Sequence, residues 1–297
     1  MTIEQISCSL CGISISILEV NCPHDNTPLP GYPNVRLAQT KSQTEALENR
    51  YQDATAYCKT HRRDDSLEVF SVEIKERSQA VLSLGYSELR RLAENPKSVF
   101  STFYERVKAG LQIPSGGKWD ILRGIAEHSL YQHQKDHIRF AALSTNGIGV
   151  LNYGDCHVTL KTPLIEQRTS VFEDNNVVFT VYSQNTTMAQ AIDLPPGHLT
   201  DWPNRNKLAV AKLATHLPEK PLTQQEIAGI LIDQGATTAD DRFIELHIFG
   251  PMTVLTIEKV RVTPRKVGNR RMPKKAEVAS LRASLKQINV LDVQDVG

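Results

Sequence analysis

The second half of the chain is built from short apolar runs that are rich in β-branched residues and separated by turn residues. IRFAAL, CHVTLK, LIEQRTSVF and VVFTVYS follow His137, and Asn146-Gly147 precedes the run IGVL. β-Branched and aromatic residues favour strands, and an Asn-Gly pair is typical of a tight hairpin turn. The pattern predicts an antiparallel β-rich region, with FIELHIF and MTVLTIEKVRV as its later strands.

Helical patterns dominate the first half. A capping box that starts at Ser42 predicts a helix to about Tyr57, and Asn95-Pro96 predicts the start of another helix that ends before Gly110. GYSELRRLAE and residues 119–130 add further helical segments. Two helices interrupt the β-rich half, one over residues 204–216 and one that starts at the capping box of Thr223. We therefore expect an α+β protein.

The domain organisation follows from this change in pattern. We expect a mostly helical N-terminal region over residues 1–118, a β-rich domain over residues 119–264, and a basic C-terminal tail with a short helix over residues 265–297. A solvated basic linker explains the tail better than a phosphate-binding or partner-binding patch does.

Charge and hydropathy exclude several classes of protein. The 297 residues include 34 Lys and Arg against 33 Asp and Glu, so the chain lacks the basic surface of a dedicated nucleic-acid-binding protein. No apolar run is long enough to cross a bilayer, and the N-terminus MTIEQISCSL lacks the features of a signal peptide. We expect folding in a cytoplasm, which is compatible with later delivery elsewhere by a specialised secretion system.

Three predicted strands each carry a polar residue among apolar neighbours: Arg139, Ser170 and Glu245. A buried charge needs a partner, so such residues are paired, line a cleft, or point to solvent from the polar face of a strand. For any one of the three alone, the solvated face is the simpler interpretation. Strand alternation also places His247 on the face of Glu245, where a structural role is the simpler interpretation as well.

Taken together, the three residues resemble the R-S-E signature of the mono-ADP-ribosyltransferase superfamily. The phrases NYGDCHVTLK, RTSVFEDN and RFIELHIFGPMTVLTIEKV resemble segments of bacterial members in the same order, and the likeness covers roughly residues 125–262. The resemblance implies a split β-sandwich fold and a catalytic domain within residues 119–264. It also implies that NAD⁺ is the substrate, and that the protein is a bacterial effector or toxin.

The resemblance assigns a role to each residue. Glu245 would stabilise the oxocarbenium-like state as the nicotinamide–ribose bond breaks, as carboxylates do in glycoside cleavage. Arg139 would pair with the NAD⁺ pyrophosphate through its guanidinium. Ser170 would brace Glu245 and the nicotinamide side of the pocket, and Thr169 would replace it if the strand faces the other way.

The resemblance implies that the acceptor is a protein side chain, with arginine as the expected residue. The pattern is similar to that of effectors that modify an arginine of a host metabolic enzyme such as glutamate dehydrogenase. Arginine-modifying members carry Gln or Glu two positions before the catalytic glutamate, whereas this chain has Phe243. The acceptor loop would span residues 234–241. NAD⁺ glycohydrolase activity and a non-enzymatic, zinc-stapled binding module are the alternatives.

Clustered cysteines near the N-terminus suggest a metal site. Cys8 and Cys11 form half of a zinc knuckle, and Cys58 with His61 would supply the other half of a structural site. Cys22 competes as a ligand, as does His24, and free cysteines are often just small buried hydrophobic residues.

Overall fold

The computed structural model describes residues 4–95, 97–114, 116–183, 194–238, 240–263, 275–287, 290 and 292–295. The helices are α1 Pro33–Ala38, α2 Lys41–Thr60, α3 Asp64–Arg77, α4 Tyr86–Glu94, α5 Phe103–Lys108, α6 Lys118–Tyr131, α7 Asn176–Ser183, α8 Arg205–Leu213, α9 Gln224–Leu231 and α10 Lys275–Gln287. The strands are β1 Gln5–Ser7, β2 Ser14–Ser16, β3 Gln79–Leu84, β4 Ile138–Ser144, β5 Cys156–Leu160, β6 Thr169–Phe172, β7 Leu199–Asp201, β8 Ile232–Asp233, β9 Arg242–Phe243, β10 Glu245–Phe249, β11 Ile257–Val262 and β12 Asp292–Asp295.

Eight strands form one sheet in the order β12-β11-β5-β3-β4-β10-β6-β7. All neighbours in it are antiparallel except β11 and β12, which are parallel. Two small antiparallel pairs, β1-β2 and β8-β9, lie outside this sheet. The predicted α+β class is confirmed.

Strand β3 connects the predicted helical region to the sheet. It lies between β4 and β5, so a strand from the first 118 residues occupies the middle of the sheet. Gly154 packs tightly against the end of β3, because a Cβ there would lie 2.2 Å from the carbonyl carbon of Leu84. Residues on both sides of the expected boundary at 118–119 therefore share one sheet and one core.

Strand alternation divides the apolar side chains of the sheet between two clusters. Val171, Leu246 and Ile248 belong to a large cluster with residues of α2, α3, α8 and α9. Ile138 and Phe172 belong to a smaller cluster with residues of α1, α6 and α7. Helices thus cover both faces of the strands that carry the predicted site.

Several expected elements form as their local signals predict. The capping box of α9 is present, with the Thr223 hydroxyl accepting from the Glu226 amide and the Glu226 carboxylate accepting from the Thr223 amide. The helix expected from Ser42 forms as α2, with Thr40 as its N-cap. Of the basic tail, residues 264–274 lie outside the described part, and the expected short helix is α10.

Three expectations differ from the structure. The IGVL run, residues 148–151, was expected to be a strand and forms none. The VVFTVYS segment was expected to be a strand but forms α7, because the Asn175 side chain accepts from the amides of Val177 and Val178 and so caps a helix. The helix expected after Asn95 is only α5, which begins after the Thr102 cap. Among the described residues, no helix has both the length and the apolar character needed to cross a membrane.

Candidate functional site

A cavity of about 360 Å³ opens beside the middle of the eight-stranded sheet. Strands β3, β4 and β10, helices α5 and α6, and the N-terminus of α7 contribute to its lining. Its aromatic lining consists of Phe100, Phe103, Tyr104, Phe140 and Tyr153. Cavities of this size that combine aromatic walls with a few polar groups are typical of small-molecule sites.

Glu245 is the buried carboxylate of this cavity. It is the first residue of β10 and lines the cavity, with 6% of its surface exposed. Its Oε2 atom accepts from the backbone amide of Asn176 at 3.1 Å and lies 2.9 Å from Nε2 of His247. The amide is the first of α7, where the helix dipole favours a negative charge. The structure thus holds the carboxylate in one orientation.

His247 connects Glu245 to the interior. Its ring is fully buried, and its Nδ1 atom is hydrogen-bonded to the hydroxyl of Tyr131 on α6. Burial raises the pKa of Tyr131 well above its usual value, so the hydroxyl stays protonated and donates a hydrogen bond to Nδ1 of His247. The Nε2–H of His247 is then the donor to Glu245.

Ser170 joins the same network from β6. It pairs directly with His247 across the sheet, and its Oγ lies 3.4 Å from the Tyr131 hydroxyl. Asn34 of α1 donates to Ser170 Oγ at 3.1 Å and to the His247 carbonyl at 2.7 Å. Ser170 was expected to brace Glu245, and it is linked to that carboxylate only through Tyr131 and His247.

Thr169 lies on the opposite face of β6 from Ser170. Its hydroxyl donates to the carbonyl of Ile165 at 2.7 Å, and its side chain is fully buried. Ser170, rather than Thr169, lies on the face of the sheet that carries Glu245 and His247.

Arg139 lines the same cavity, but its guanidinium is held by the protein. Nε donates to the Phe100 carbonyl at 2.7 Å, and Nη1 donates to the carbonyls of Gly250 at 3.0 Å and His137 at 3.3 Å. Nη2 pairs with both carboxylate oxygens of Glu105, at 2.9 and 3.1 Å. These contacts account for all five N–H groups of an arginine.

The expected role of Arg139 as a pyrophosphate ligand therefore conflicts with the observed contacts. A phosphate would have to displace Glu105 or a backbone carbonyl. The register also pairs Arg139 with Ile248 and Glu245 with Ala142, so the two side chains leave the sheet on opposite faces. In this structure, Arg139 fastens the loop at Phe100 and helix α5 to the sheet.

A second carboxyl group lines the cavity opposite the sheet. Glu127 of α6 is 4% exposed, and burial raises its pKa to about 8, so it is protonated at neutral pH. The charge of Glu245 also raises this pKa, whereas Arg123 acts against the shift from 3.9 Å away. One cavity thus holds an oriented carboxylate and a neutral carboxylic acid.

The expected acceptor loop is anchored at both ends. Gln234 accepts from the Leu151 amide at 3.0 Å and donates to the Gly149 carbonyl at 3.0 Å. The buried Asp241 accepts from the amide of Gly235 at 2.9 Å. Residues 236–238 are exposed between these anchors.

The N-terminal cysteines form a cluster that could hold a metal ion. The side-chain ligand atoms of Cys8, Cys11, Cys22 and Asp25 all lie within 4.8 Å of one another. The pKa of the Cys8 thiol is lowered, chiefly by hydrogen bonds from the backbone amides of Cys11 and Leu10.

The second pair of predicted ligands is corrected by the structure. Cys58 is fully buried in the large core cluster, and its thiol points to the Ala214 carbonyl. His61 is exposed and stacks on Tyr57, with 3.9 Å between the ring centroids. The helical stretch around Cys58 packs on α8, so it is not available to the cluster.

Comparison with known proteins adds no assignment. No family model matches the chain, and no curated protein matches it at a significant level. The interpretation of the site therefore depends on its geometry and on the resemblance of its motifs.

Sequence reasoning did not find four residues of the site: Asn34, Glu127, Tyr131 and Asn176. Each lies on a helix or at a helix start, where its residue type is common and gives no local signal. His247 had a signal, since strand alternation placed it beside Glu245.

Proposed function

We propose that the protein is an NAD⁺-dependent mono-ADP-ribosyltransferase with Glu245 as its catalytic carboxylate. The observation that carries the proposal is the orientation of Glu245 by the Asn176 amide and His247 at the wall of an aromatic-lined cavity. We further infer that the eight-stranded sheet corresponds to the split β-sandwich that the resemblance implies.

The chemistry needs a fixed negative charge beside the ribose. The bond between the ribose anomeric carbon and the nicotinamide nitrogen breaks, and the neutral nicotinamide leaves with the electron pair. A nucleophilic nitrogen or oxygen of the acceptor then bonds to the same carbon and loses a proton. Glu245 stabilises the positive charge that develops between these events and is positioned to take the proton. Because the carboxylate is already oriented, little reorganisation is needed as the charge develops.

The lining of the cavity suits a dinucleotide. Phe100, Phe103 and Phe140 give the cavity aromatic walls against which nicotinamide or adenine can pack. Arg123 and Arg106 are the partly exposed cations of the lining, with 38% and 35% of their side chains accessible. We assign the pyrophosphate to these two arginines. Arg139 then supports binding indirectly, by holding the cavity wall through Phe100 and Glu105.

The acceptor proposal rests on the resemblance. We propose a protein side chain, an arginine of a host metabolic enzyme such as glutamate dehydrogenase, reached by a secreted bacterial effector or toxin. The segment 236–238 is exposed between the anchors Gln234 and Asp241, which supports a role in contacting a protein acceptor. Phe243, at the position where arginine-modifying members carry Gln or Glu, is buried.

The test is Glu245→Gln, which keeps the side-chain shape and removes the charge. We expect transfer of labelled ADP-ribose to lysate proteins to fall by a factor of about 10²–10³, the usual loss for one electrostatic stabiliser of a transition state. Affinity for NAD⁺ should change little, because the contact strengthens mainly in the transition state. The matched control is Glu258→Gln, which alters an exposed glutamate of β11 and should transfer normally.

Three outcomes would redirect the proposal. Equal labelling by Glu245→Gln and the wild type would make Glu245 structural. Release of free ADP-ribose without labelled protein would identify a glycohydrolase. Absence of a thermal shift with NAD⁺ would favour a binding module, since a ligand at a hundred times its Kd stabilises a fold by ~2.7 kcal/mol.

A further inference from the structure

The turn that carries Cys8 and Cys11 has a defined hydrogen-bond pattern. The Cys8 amide donates to the Ile13 carbonyl at 2.9 Å, and the Gly12 amide donates to the Cys8 carbonyl at 3.0 Å. Gly12 has a φ of 73°, in the left-handed region that glycine adopts most readily. The backbone thus folds tightly around the two thiols.

The same turn recurs fourteen positions later. The Cys22 amide donates to the Thr27 carbonyl at 2.8 Å, and the Asn26 amide donates to the Cys22 carbonyl at 2.8 Å. Asn26 has a φ of 60° and occupies the place that Gly12 has in the first turn. Asp25 therefore occupies the position in the second turn that Cys11 occupies in the first. The chain contains two equivalent turns, each with two side chains that point toward the other turn.

The distances between the four side chains suit a tetrahedral ion. Sγ of Cys11 lies 3.6 Å from Sγ of Cys22, and Sγ of Cys8 lies 3.5 Å from Oδ2 of Asp25. Tetrahedral zinc, with Zn–S bonds of about 2.3 Å and Zn–O bonds of about 2.1 Å, separates two sulfurs by about 3.8 Å and a sulfur from an oxygen by about 3.6 Å. A disulfide would need about 2.05 Å between sulfurs, so the cysteines are free thiols.

We propose that Cys8, Cys11, Cys22 and Asp25 bind one structural zinc ion. Three thiolates favour zinc over the hard cations that prefer oxygen ligands, and four protein ligands leave no coordination position for chemistry. The local apolar cluster comprises only Cys8, Ile15, Cys22 and Leu29 as buried members. A structural metal is one way in which so small a core is stabilised.

The proposed zinc module is connected to the site through α1. Arg36 donates to the carbonyls of Ile17 at 3.0 Å, Pro30 at 2.9 Å and Gly31 at 2.8 Å, and so ties the chain around the module to this helix. Asn34, two residues earlier, donates to Ser170 Oγ. The metal thus stabilises the segment that orients Asn34. This inference does not depend on the reaction assigned to Glu245.

The experiment is elemental analysis of the purified full chain with four variants. We expect about one zinc per chain in the wild type, and loss of most of it in Cys22→Ser and Asp25→Asn. Cys58→Ala is the matched control, because it removes a buried cysteine outside the cluster, and Cys156→Ala serves as a second control. Both controls should keep one zinc.

A second measurement keeps the test decisive if a variant fails to fold. The metal-free full chain is titrated with Co²⁺, which gives a thiolate-to-cobalt charge-transfer band and tetrahedral ligand-field bands at a three-sulfur site. Added zinc should abolish both bands. The proposal would be overturned if the purified wild type contained no zinc and developed no cobalt bands. It would also be overturned if Cys22→Ser contained as much zinc as the two control variants.

Discussion

Glu127 provides a quantitative test of the electrostatics of the cavity. The perturbation is Glu127→Gln, which keeps the shape of the side chain and cannot ionise. In the folded protein, burial raises the pKa of this carboxyl from 4.5 to about 8. The unfolded chain exposes the group and restores its ordinary pKa.

The direction of the pH effect on stability follows from the protonation state of Glu127 in the folded and the unfolded chain. Below pH 4.5 both forms are protonated, so the group does not affect the free energy of unfolding. Between pH 4.5 and 8 the unfolded chain is ionised while the folded protein is not, so stability falls as the pH rises. At about 1.4 kcal/mol per pH unit, the loss reaches about 3 kcal/mol at pH 7 and stays below about 1 kcal/mol at pH 5. Glu127→Gln removes this loss.

The assay is urea denaturation of the wild type and Glu127→Gln at pH 5 and pH 7. We expect the variant to be more stable at pH 7 by up to about 3 kcal/mol, with a much smaller difference at pH 5. Glu68→Gln, which changes an exposed glutamate on α3, should have the same small effect on the free energy of unfolding at pH 5 and pH 7. An equal effect of Glu127→Gln at the two pH values would refute the argument that Glu127 is buried in its neutral form.

Two further predictions concern buried hydrogen bonds. Tyr131→Phe leaves Nδ1 of His247 without its donor, so we expect a loss of about 1–3 kcal/mol in urea denaturation and slower transfer, since His247 orients Glu245. Unchanged stability and rate would show that the network has no such role. Burial lowers the pKa of His157 to about 4, and its Nδ1 accepts from the Gly149 amide. As the pH falls, the unfolded chain therefore takes up a proton on His157 before the folded protein does. The free energy of unfolding should decrease by up to about 3 kcal/mol as the pH falls from about 6.5 to 4. His157→Asn should lack this decrease in the same assay.

The sequence alone determined much of the local structure. Hydrogen bonds within a few residues start α9 at Thr223. The apolar runs with β-branched or aromatic residues predicted β4, β5, β6 and β10. Alternation along β10 then fixes Glu245 and His247 on one face, because successive side chains of a strand point to opposite sides. These features depend on neighbours that are close in the chain.

Tertiary contacts decided the rest. VVFTVYS has the composition of a strand but packs as a helix against α6 and against Phe172 of the sheet, in addition to its local Asn175 cap. The partners of Arg139 include the Phe100 carbonyl, the Glu105 carboxylate and the Gly250 carbonyl, which lie 39, 34 and 111 residues away. No motif therefore showed that its donors would be occupied.

The same limit applies to the cysteines and to the polar network. The spacing Cys8-x-x-Cys11 indicated one turn, but the second pair of ligands was expected at Cys58 and His61. Only the fold brings Cys22 and Asp25 to the first turn. Tyr131 and His247 meet across 116 residues, and Asn34 and Ser170 across 136. Composition and periodicity describe the chain over a few turns or strands. Contacts at such separations depend on how the sheet is ordered and on which helix covers each face.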